Sequence, residues 1–345
     1  MHKITSFIVA EISKVKKGKE LPAPAPMKSS PHYLAKSMPP EIVIGKETVK
    51  VENYDVELVL KSYYSDALMI EGSINVEDIF ADGILELKDK LLDACLEYGK
   101  KSGAKIETGE EFTVHQVSGY AGDPELFLKK HANRITSLLK SEKLELDEKE
   151  IEYTLSFQFK YAKDDLIILD WDGAFLFDPN GDFEDSIDLL QLANFQLLRY
   201  RALDEDLDER LKKVYRLIQP IQSDEKRSWW KRLLAKDVSQ SFKEVIRIRT
   251  QSIVQFEALD RDIKLIGDWY SARVYDLLSK KFKLDAWHTI IKEKLDSLED
   301  IYTIASENLG MSRSKFLESI EIVGFIILEI GWIPLLYFEF TSYLR

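Results

Sequence analysis

Hydrophobic and polar positions divide the chain into two regions with different periods. Up to about residue 182, short runs rich in β-branched and aromatic residues alternate with stretches of helical spacing, which predicts strands and helices in one domain. Strands are predicted at Ile4–Ile12, Val49–Leu60, Ala67–Ile74, Glu111–Tyr120, Ile151–Tyr161 and Leu166–Trp171. The pattern is that of an α+β domain with a mostly antiparallel sheet.

Two helices are predicted within this domain. The first covers Val76–Lys101, and Gly99 and Gly103 mark its end. The second begins at Asp123, which is followed by Pro124 and Glu125. A capping carboxylate, a proline at the first helical position and an acid in the first turn favour a helix start.

After residue 183 the period becomes helical. A heptad pattern formed by Leu190, Leu197, Asp204, Leu211 and Ile218 predicts a coiled-coil or bundle helix with one polar position at Asp204. A second helical pattern runs from about Val238 to Lys281, and a third begins at Asp285. We therefore expect a long antiparallel helical hairpin or a three-helix bundle.

The last apolar stretch, Ile320–Phe340, reads IEIVGFIILEIGWIPLLYFEF, and Glu329 is the single charge between residues 322 and 338. A helix of this length spans roughly 31 Å, close to the thickness of a hydrocarbon core. Its apolar residues favour membrane insertion by about 4 to 8 kcal/mol, against about 3 kcal/mol for one central carboxylate. This predicts a C-terminal transmembrane helix; the alternative is a buried core helix.

These patterns predict four parts: a strand with a flexible Pro/Lys-rich arm (1–41), an α+β domain (42–182), a long-helix bundle (183–319) and a membrane anchor (320–340). No export signal is recognised at the start, so we expect the body in the cytoplasm or an organelle interior. The net charge of −12 argues against direct nucleic-acid binding.

No cofactor or metal is predicted. The single cysteine, Cys95, excludes a disulfide framework and a cysteine cluster within one chain. The histidines show no ligand spacing. The loop that begins at Asp178 resembles the first half of a calcium loop, but its sixth and twelfth positions are Phe183 and Leu189, where such a loop needs glycine and glutamate.

Two further features predict contacts with lipid and with other copies. Gly324 and Gly331 lie seven residues apart on one face of the predicted anchor, and Glu329 lies between them. Small residues allow close helix packing, and a carboxylate at membrane depth favours the interior of an assembly, which predicts a homo-oligomer. The segment KRSWWKRLLAK carries Trp229, Trp230, Lys231 and Arg232, residue types that favour a membrane interface.

The alternative function is enzymatic. Leu166–Phe175 reads LIILDWDGAF, and an apolar strand that ends in Asp-x-Asp-Gly resembles the first motif of haloacid-dehalogenase phosphohydrolases. The resemblance implies that Asp170 is a nucleophile that also binds Mg²⁺ and that Asp172 is a general acid. This hypothesis requires parallel strands beside Leu166–Trp171, whereas an antiparallel arrangement there argues against it.

The order of elements also resembles a known family. An α+β domain is followed by DSIDLLQLANFQLLRYRALDEDLDERL, by further long helices, and by SRSKFLESIEIVGFIILEIG near the C-terminus. This order is similar to the required-for-meiotic-nuclear-division family, a domain of unknown function. The resemblance implies a membrane-bound oligomer, since animal members lie at the mitochondrial inner membrane and support organellar translation. It implies no catalytic residue.

Overall fold

The computed structural model describes residues 2–12, 19–20, 41–63, 67–223, 243–244, 246–254, 256–257, 269–301, 303, 318 and 321–322. The chain divides into two compact units: Met1–Glu205 with Gln255–Ile291, and Asp206–Val254 with Lys292–Arg345. The described part is α+β, as predicted.

A nine-stranded sheet organises the first unit. Its strands are β1 (His2–Ile12), β2 (Lys19–Glu20), β3 (Glu41–Val51), β4 (Tyr54–Tyr63), β5 (Ala67–Val76), β6 (Ala104–Val117), β7 (Gln158–Phe159), β8 (Leu166–Leu169) and β9 (Gly173–Phe177). They are arranged in the order β2-β3-β4-β5-β1-β6-β9-β8-β7. Every neighbouring pair is antiparallel except β6 and β9. The predicted mostly antiparallel sheet is confirmed.

Three helices accompany the sheet: α1 (Ile84–Ser102), α2 (Pro124–Lys140) and α3 (Glu148–Ser156). Gly103 caps the end of α1 in a left-handed conformation, with φ of 88°. The predicted start of α2 is also correct, because the Asp123 carboxylate accepts the N–H of Glu125. Local capping interactions therefore account for the end of α1 and the start of α2.

The two faces of the sheet carry different helices. A Cβ added at Gly72 of β5 would lie 3.1 Å from Leu91 of α1. The preceding residue, Glu71, accepts a 2.8 Å hydrogen bond from Gln191 of helix α4 (Glu184–Ser223). Because successive strand residues point to opposite faces, α1 and the first half of α4 cover opposite sides.

The first half of α4 is enclosed on all sides: residues 189–198 are all buried. Helix α5 (Trp269–Phe282) packs beside it in the first unit, where the Tyr275 hydroxyl donates to the Gln196 side chain. This stretch is buried around its whole circumference, and its polar residues Gln191, Asn194 and Gln196 each make a hydrogen bond. The heptad seam is therefore only part of its buried surface.

The second unit contains the end of α4 and two further helical stretches, 246–254 and 292–301. Lys213 of α4 pairs with Glu244, and Arg210 bonds Ser252. Residue numbers increase along α4 while those of the contacted residues decrease, so α4 and the helical stretch 246–254 are antiparallel. Lys294 pairs with Asp208 at 2.6 Å and so adds the third helix.

The predicted strand Ile151–Tyr161 is wrong. Most of it forms α3, and only Gln158–Phe159 is a strand. Asp147 caps α3 by accepting the N–H of Lys149. The local helix start overrides the two-residue alternation, and Tyr153 of that alternating face is exposed.

The predicted strand Val49–Leu60 is also wrong as one element. The chain reverses at Glu52, whose φ is 52°, and residues on either side form the β3–β4 hairpin. Within the described ranges, no helix combines the length and the apolar composition needed to cross a bilayer. The predicted anchor, Ile320–Phe340, lies outside those ranges apart from residues 321–322.

Candidate functional site

The Asp-x-Asp-Gly motif forms the turn between β8 and β9. The N–H of Asp170 donates to the carbonyl of Gly173 at 2.8 Å, which closes the turn. Both neighbours of β8, namely β7 and β9, are antiparallel to it. The motif therefore lies on an antiparallel hairpin, without the parallel neighbours that the phosphohydrolase hypothesis requires beside Leu166–Trp171.

The Asp170 side chain is buried and fully engaged. Its Oδ1 lies 2.6 Å from Nζ of Lys281, and its Oδ2 lies 3.2 Å from Nζ of Lys140. The N–H of Trp171 also donates to Oδ1 at 2.9 Å. A carboxylate with these three partners is held as a structural anion and has little capacity left for a metal ion or a phosphoryl group.

Lys281 is enclosed as tightly as its partner. Its ammonium lies 4.2 Å from the ring centroid of Phe157 and 5.5 Å from that of Tyr153, and 3% of its side chain is exposed. An ammonium beside aromatic faces and a carboxylate is stabilised by cation–π attraction and by the ion pair. The contacts join α5, α3 and the β8–β9 turn at one point.

Lys140, at the end of α2, is shared by two carboxylates. Its Nζ lies 2.7 Å from Glu150 of α3 in addition to its contact with Asp170. Burial lowers the pKa of Lys140, but the hydrogen bonds and charges of these two carboxylates outweigh it and raise the pKa. Lys140 therefore stays protonated and acts as a bridge rather than as a base.

Asp172 has a different environment. Burial of its carboxyl group raises its pKa, and the negative charge of Asp170 raises it further. Glu111 on β6 also has a raised pKa, because of burial and then of the charge on Asp172. Lys88 opposes both shifts. Asp172 therefore has a raised pKa, but Asp170 is held by its ion pairs and is not free to act beside it as a nucleophile.

Lys88 is itself a buried cation that joins two helices. Its Nζ lies 2.5 Å from the hydroxyl of Ser141, the residue that caps the C-terminal end of α2, and 3.1 Å from Asp89. A cation is favourable beside the carbonyl groups at a helix end. Lys88 thus ties α1 to α2, and the sequence pattern did not reveal it because a helical lysine is normally solvated.

His115 is the least expected member of this region. It is fully buried, and neither ring nitrogen makes a hydrogen bond. Its ring stacks on Phe175 at 4.6 Å. Burial, followed by the charge of Lys88, lowers the pKa of His115 to about 3. The imidazole is therefore a neutral core group.

Gly173 has a steric role. A Cβ at this position would lie 2.9 Å from the carbonyl oxygen of Thr113 on β6. The two backbones are close here because the N–H of Thr113 donates a hydrogen bond to the carbonyl of Asp172, the residue before Gly173. The glycine of the motif is therefore explained by strand packing alone.

The calcium-like loop is a capped turn. Oδ1 of Asp178 accepts the N–H groups of Asn180 and Asp182, so its oxygen already has two donors. No group of three or more metal-ligating side chains occurs among the residues that the structure describes.

The residues predicted to contact membrane or to pack an oligomer lie outside the described ranges: Trp229, Trp230, Lys231, Arg232, Gly324, Glu329 and Gly331. The structure therefore brings together Asp170 and Asp172 alone among the predicted site residues. Lys88, Lys140, Lys281 and His115 complete that region and were missed by the sequence analysis.

Comparison with known proteins identifies the chain's relatives. The family described as "Uncharacterized protein MJ0711, N-terminal domain" matches residues 9–184. Uncharacterized protein MJ0711 of Methanocaldococcus jannaschii is 32% identical over 275 residues, which cover 79% of this chain and 80% of that protein. No solved structure matches. The resemblance to the required-for-meiotic-nuclear-division family is not confirmed by these matches. This chain belongs to the uncharacterised MJ0711 family.

Proposed function

We propose that this protein is a non-catalytic scaffold, anchored in a membrane by Ile320–Phe340 and assembled as a homo-oligomer. The body lies in the cytoplasm or an organelle interior, and the C-terminal segment crosses the bilayer once. The apolar composition of that segment supports the anchor. Gly324 and Gly331 support helix association within the membrane, with lipid and further copies of the chain as partners.

One observation carries the non-catalytic part of the proposal. Asp170, the nucleophile in the enzymatic alternative, is bonded to Lys281 and Lys140 and lies 3% exposed beneath the hairpin turn. A nucleophile must reach its substrate and keep a free lone pair. Here the carboxylate fixes α5 and α2 to the sheet, which is a structural use of the one catalytic signature in the sequence.

The anchor is tested by cell fractionation without detergent. The full chain should sediment with membranes and resist carbonate extraction, whereas a variant that ends at Arg313 should remain in the supernatant. Carbonate does not release an inserted apolar helix, so the full chain should stay with the membranes. A full chain that is soluble and monomeric without detergent would refute the anchor. The truncated protein also needs a cooperative thermal unfolding transition, which shows that its body folds.

The enzymatic alternative is tested with the full chain, Mg²⁺ and p-nitrophenyl phosphate. We expect no hydrolysis that depends on Asp172, since Asp170 is not available as its partner. Asp172→Asn is compared with Asp164→Asn in an exposed turn. Hydrolysis that Asp172→Asn abolishes and Asp164→Asn preserves would establish the phosphohydrolase and reject the non-catalytic scaffold.

A further inference from the structure

Helix α5 carries a stripe of four exposed residues. Trp269, Arg273, Asp276 and Lys280 occupy positions i, i+4, i+7 and i+11, which lie within about 60° of one another around a helix. Trp269 is 82% exposed, and the side chains of Asp276 and Lys280 are 63% and 64% exposed. The opposite face is buried, so this stripe is the outer surface of α5.

The stripe is complementary to itself when two copies run antiparallel. If Arg273 lies opposite the second copy's Asp276, the same register places Trp269 opposite the second copy's Lys280. Both pairs are centred between Val274 and Tyr275, so one two-fold axis generates two ion pairs and two outer tryptophan–lysine pairs. An isologous interface requires this property: when residue i of one copy contacts residue j of the second copy, residue j of the first copy must contact residue i of the second.

One exposed aromatic side chain on a neighbouring element lies beside the N-terminal end of α5. Tyr161 is 64% exposed, and its ring lies 5.8 Å from that of Tyr270, the residue after Trp269. Its position is therefore set by packing, which reduces the entropy lost on association.

Two exposed rings supply part of the area that a contact needs. At roughly 200 Å² for each aromatic side chain, the exposed parts of Trp269 and Tyr161 amount to about 300 Å². A stable interface buries about 800 Å² on each partner. These two rings therefore supply about a third of the required area, and tryptophan and tyrosine are among the residues most enriched at such contacts.

We propose that the exposed stripe of α5 binds the same stripe of a second copy of this chain, with Arg273 paired to the second copy's Asp276. The proposal rests on the homo-oligomer proposed above and locates one of its contacts outside the membrane segment. The stripe carries charges of both signs, which suits a second copy of the stripe better than a uniformly anionic lipid or nucleic acid. Within one chain Lys280 pairs with Asp276 at 2.6 Å, and Arg273 lies over the ring of Phe159. The ion pair is well exposed and therefore weak, so the contact between copies can replace it.

The test uses charge reversal in the full chain, with association measured by sedimentation equilibrium in detergent. Arg273→Asp places two acids opposite one another in each half of the interface, and Asp276→Arg places two bases there. Each variant alone should raise the dissociation constant by about 10-fold or more, since two attractive pairs become repulsive. An equimolar mixture of the two variants should restore association, because each then supplies the other's missing charge.

Asp55→Arg, a reversal at an exposed aspartate on β4, is the matched control and should leave association unchanged. Thermal unfolding of every variant shows whether a loss of association comes from misfolding, and restoration in the mixture excludes that explanation independently. Unchanged association in both single variants, or no restoration in the mixture, would overturn the proposed contact.

Two further measurements separate this contact from the proposed function. If Gly331→Leu dissociates the oligomer and Asp276→Arg does not, the homo-oligomer stands and the α5 contact is wrong. A wild-type chain that is monomeric at all concentrations refutes both. Vesicles of phosphatidylglycerol that bind the wild-type chain and lose it in Arg273→Asp would assign the stripe to lipid and overturn the contact between copies.

Discussion

Lys281 of α5 and Asp170 of the β8–β9 turn form an ion pair that is almost excluded from water. Nζ and Oδ1 lie 2.6 Å apart, and 3% and 4% of the two side chains are exposed. Both charges lose their hydration on folding, so each depends on the other and on the surrounding polar and aromatic groups. This pair gives the Asp-x-Asp-Gly motif a structural role.

Loss of one member of this pair should be severe. Lys281→Met leaves the buried Asp170 carboxylate without its closest cation, and we expect the free energy of unfolding to fall by about 3 to 5 kcal/mol. Urea denaturation measures the change. The double variant Lys281→Met/Asp170→Leu should recover part of it, because neither charge is then left unpaired.

Lys143→Met is the control for that measurement. Lys143 pairs with Glu86 at 2.7 Å, but both side chains are well exposed, so its loss should change the free energy of unfolding far less than the loss of Lys281 does. Equal effects of Lys281→Met and Lys143→Met would contradict the importance of the buried pair.

His115 should make the protein sensitive to acid. Its folded-state pKa of about 3 lies below the ordinary value of 6.5, so below pH 6.5 the unfolded chain binds a proton that the folded chain excludes. Stability from this group is complete above pH 6.5 and falls as the pH decreases toward 3. At pH 4.5 the loss should be about 3 kcal/mol.

His115→Leu removes this titration. Between pH 7 and 4.5 its free energy of unfolding should fall by about 3 kcal/mol less than that of the wild type, as measured by urea denaturation at each pH. Parallel pH profiles of the two proteins would show that His115 is not held neutral by the fold.

Gly173→Ala should destabilise the fold for steric reasons. The new methyl group would lie 2.9 Å from the carbonyl oxygen of Thr113, and the strands β6 and β9 would have to separate. We expect a loss of about 1 to 3 kcal/mol, measured as a lower midpoint of thermal unfolding. An unchanged midpoint would mean that the glycine serves another purpose than close packing.

Gly331→Leu tests the packing predicted within the membrane segment. A large side chain on the Gly324–Gly331 face would keep neighbouring helices apart, so chemically crosslinked oligomers should decrease. Leu336→Ala, a change in the same apolar segment, provides a comparison for general effects on insertion. Unchanged crosslinking in Gly331→Leu would show that this helix face does not contact other copies of the chain.

Trp229 and Trp230 are predicted to touch the bilayer surface. Vesicles that contain brominated lipid should quench tryptophan fluorescence of the wild-type chain, and this quenching should fall in the double variant Trp229→Ala/Trp230→Ala. The quenching that remains is expected from Trp332 in the predicted anchor. Trp287→Ala removes a half-buried tryptophan and serves as the control. Equal quenching in the wild type and the double variant would reject this contact.

Features that depend on nearby residues were predictable. The Asp123–Pro124 helix start and the Gly103 cap follow from local backbone and hydrogen-bond requirements. Strand β1 and the long helix α4 follow from sustained hydrophobic patterns. The predicted strand Ile151–Tyr161 failed because two local patterns overlap there. Its residues alternate between apolar and polar, but the Asp147 carboxylate just before them caps a helix.

The sequence by itself determined the α+β class, the mostly antiparallel sheet and the long α4 helix, because hydrophobic period and capping are short-range properties. Only the tertiary structure decided what Asp170 does. The same Asp-x-Asp-Gly pattern suits a catalytic loop or a hairpin turn, and the difference lies in Lys281 and Lys140, which approach from other elements. Such a partner follows from chain topology and burial, which no local pattern encodes.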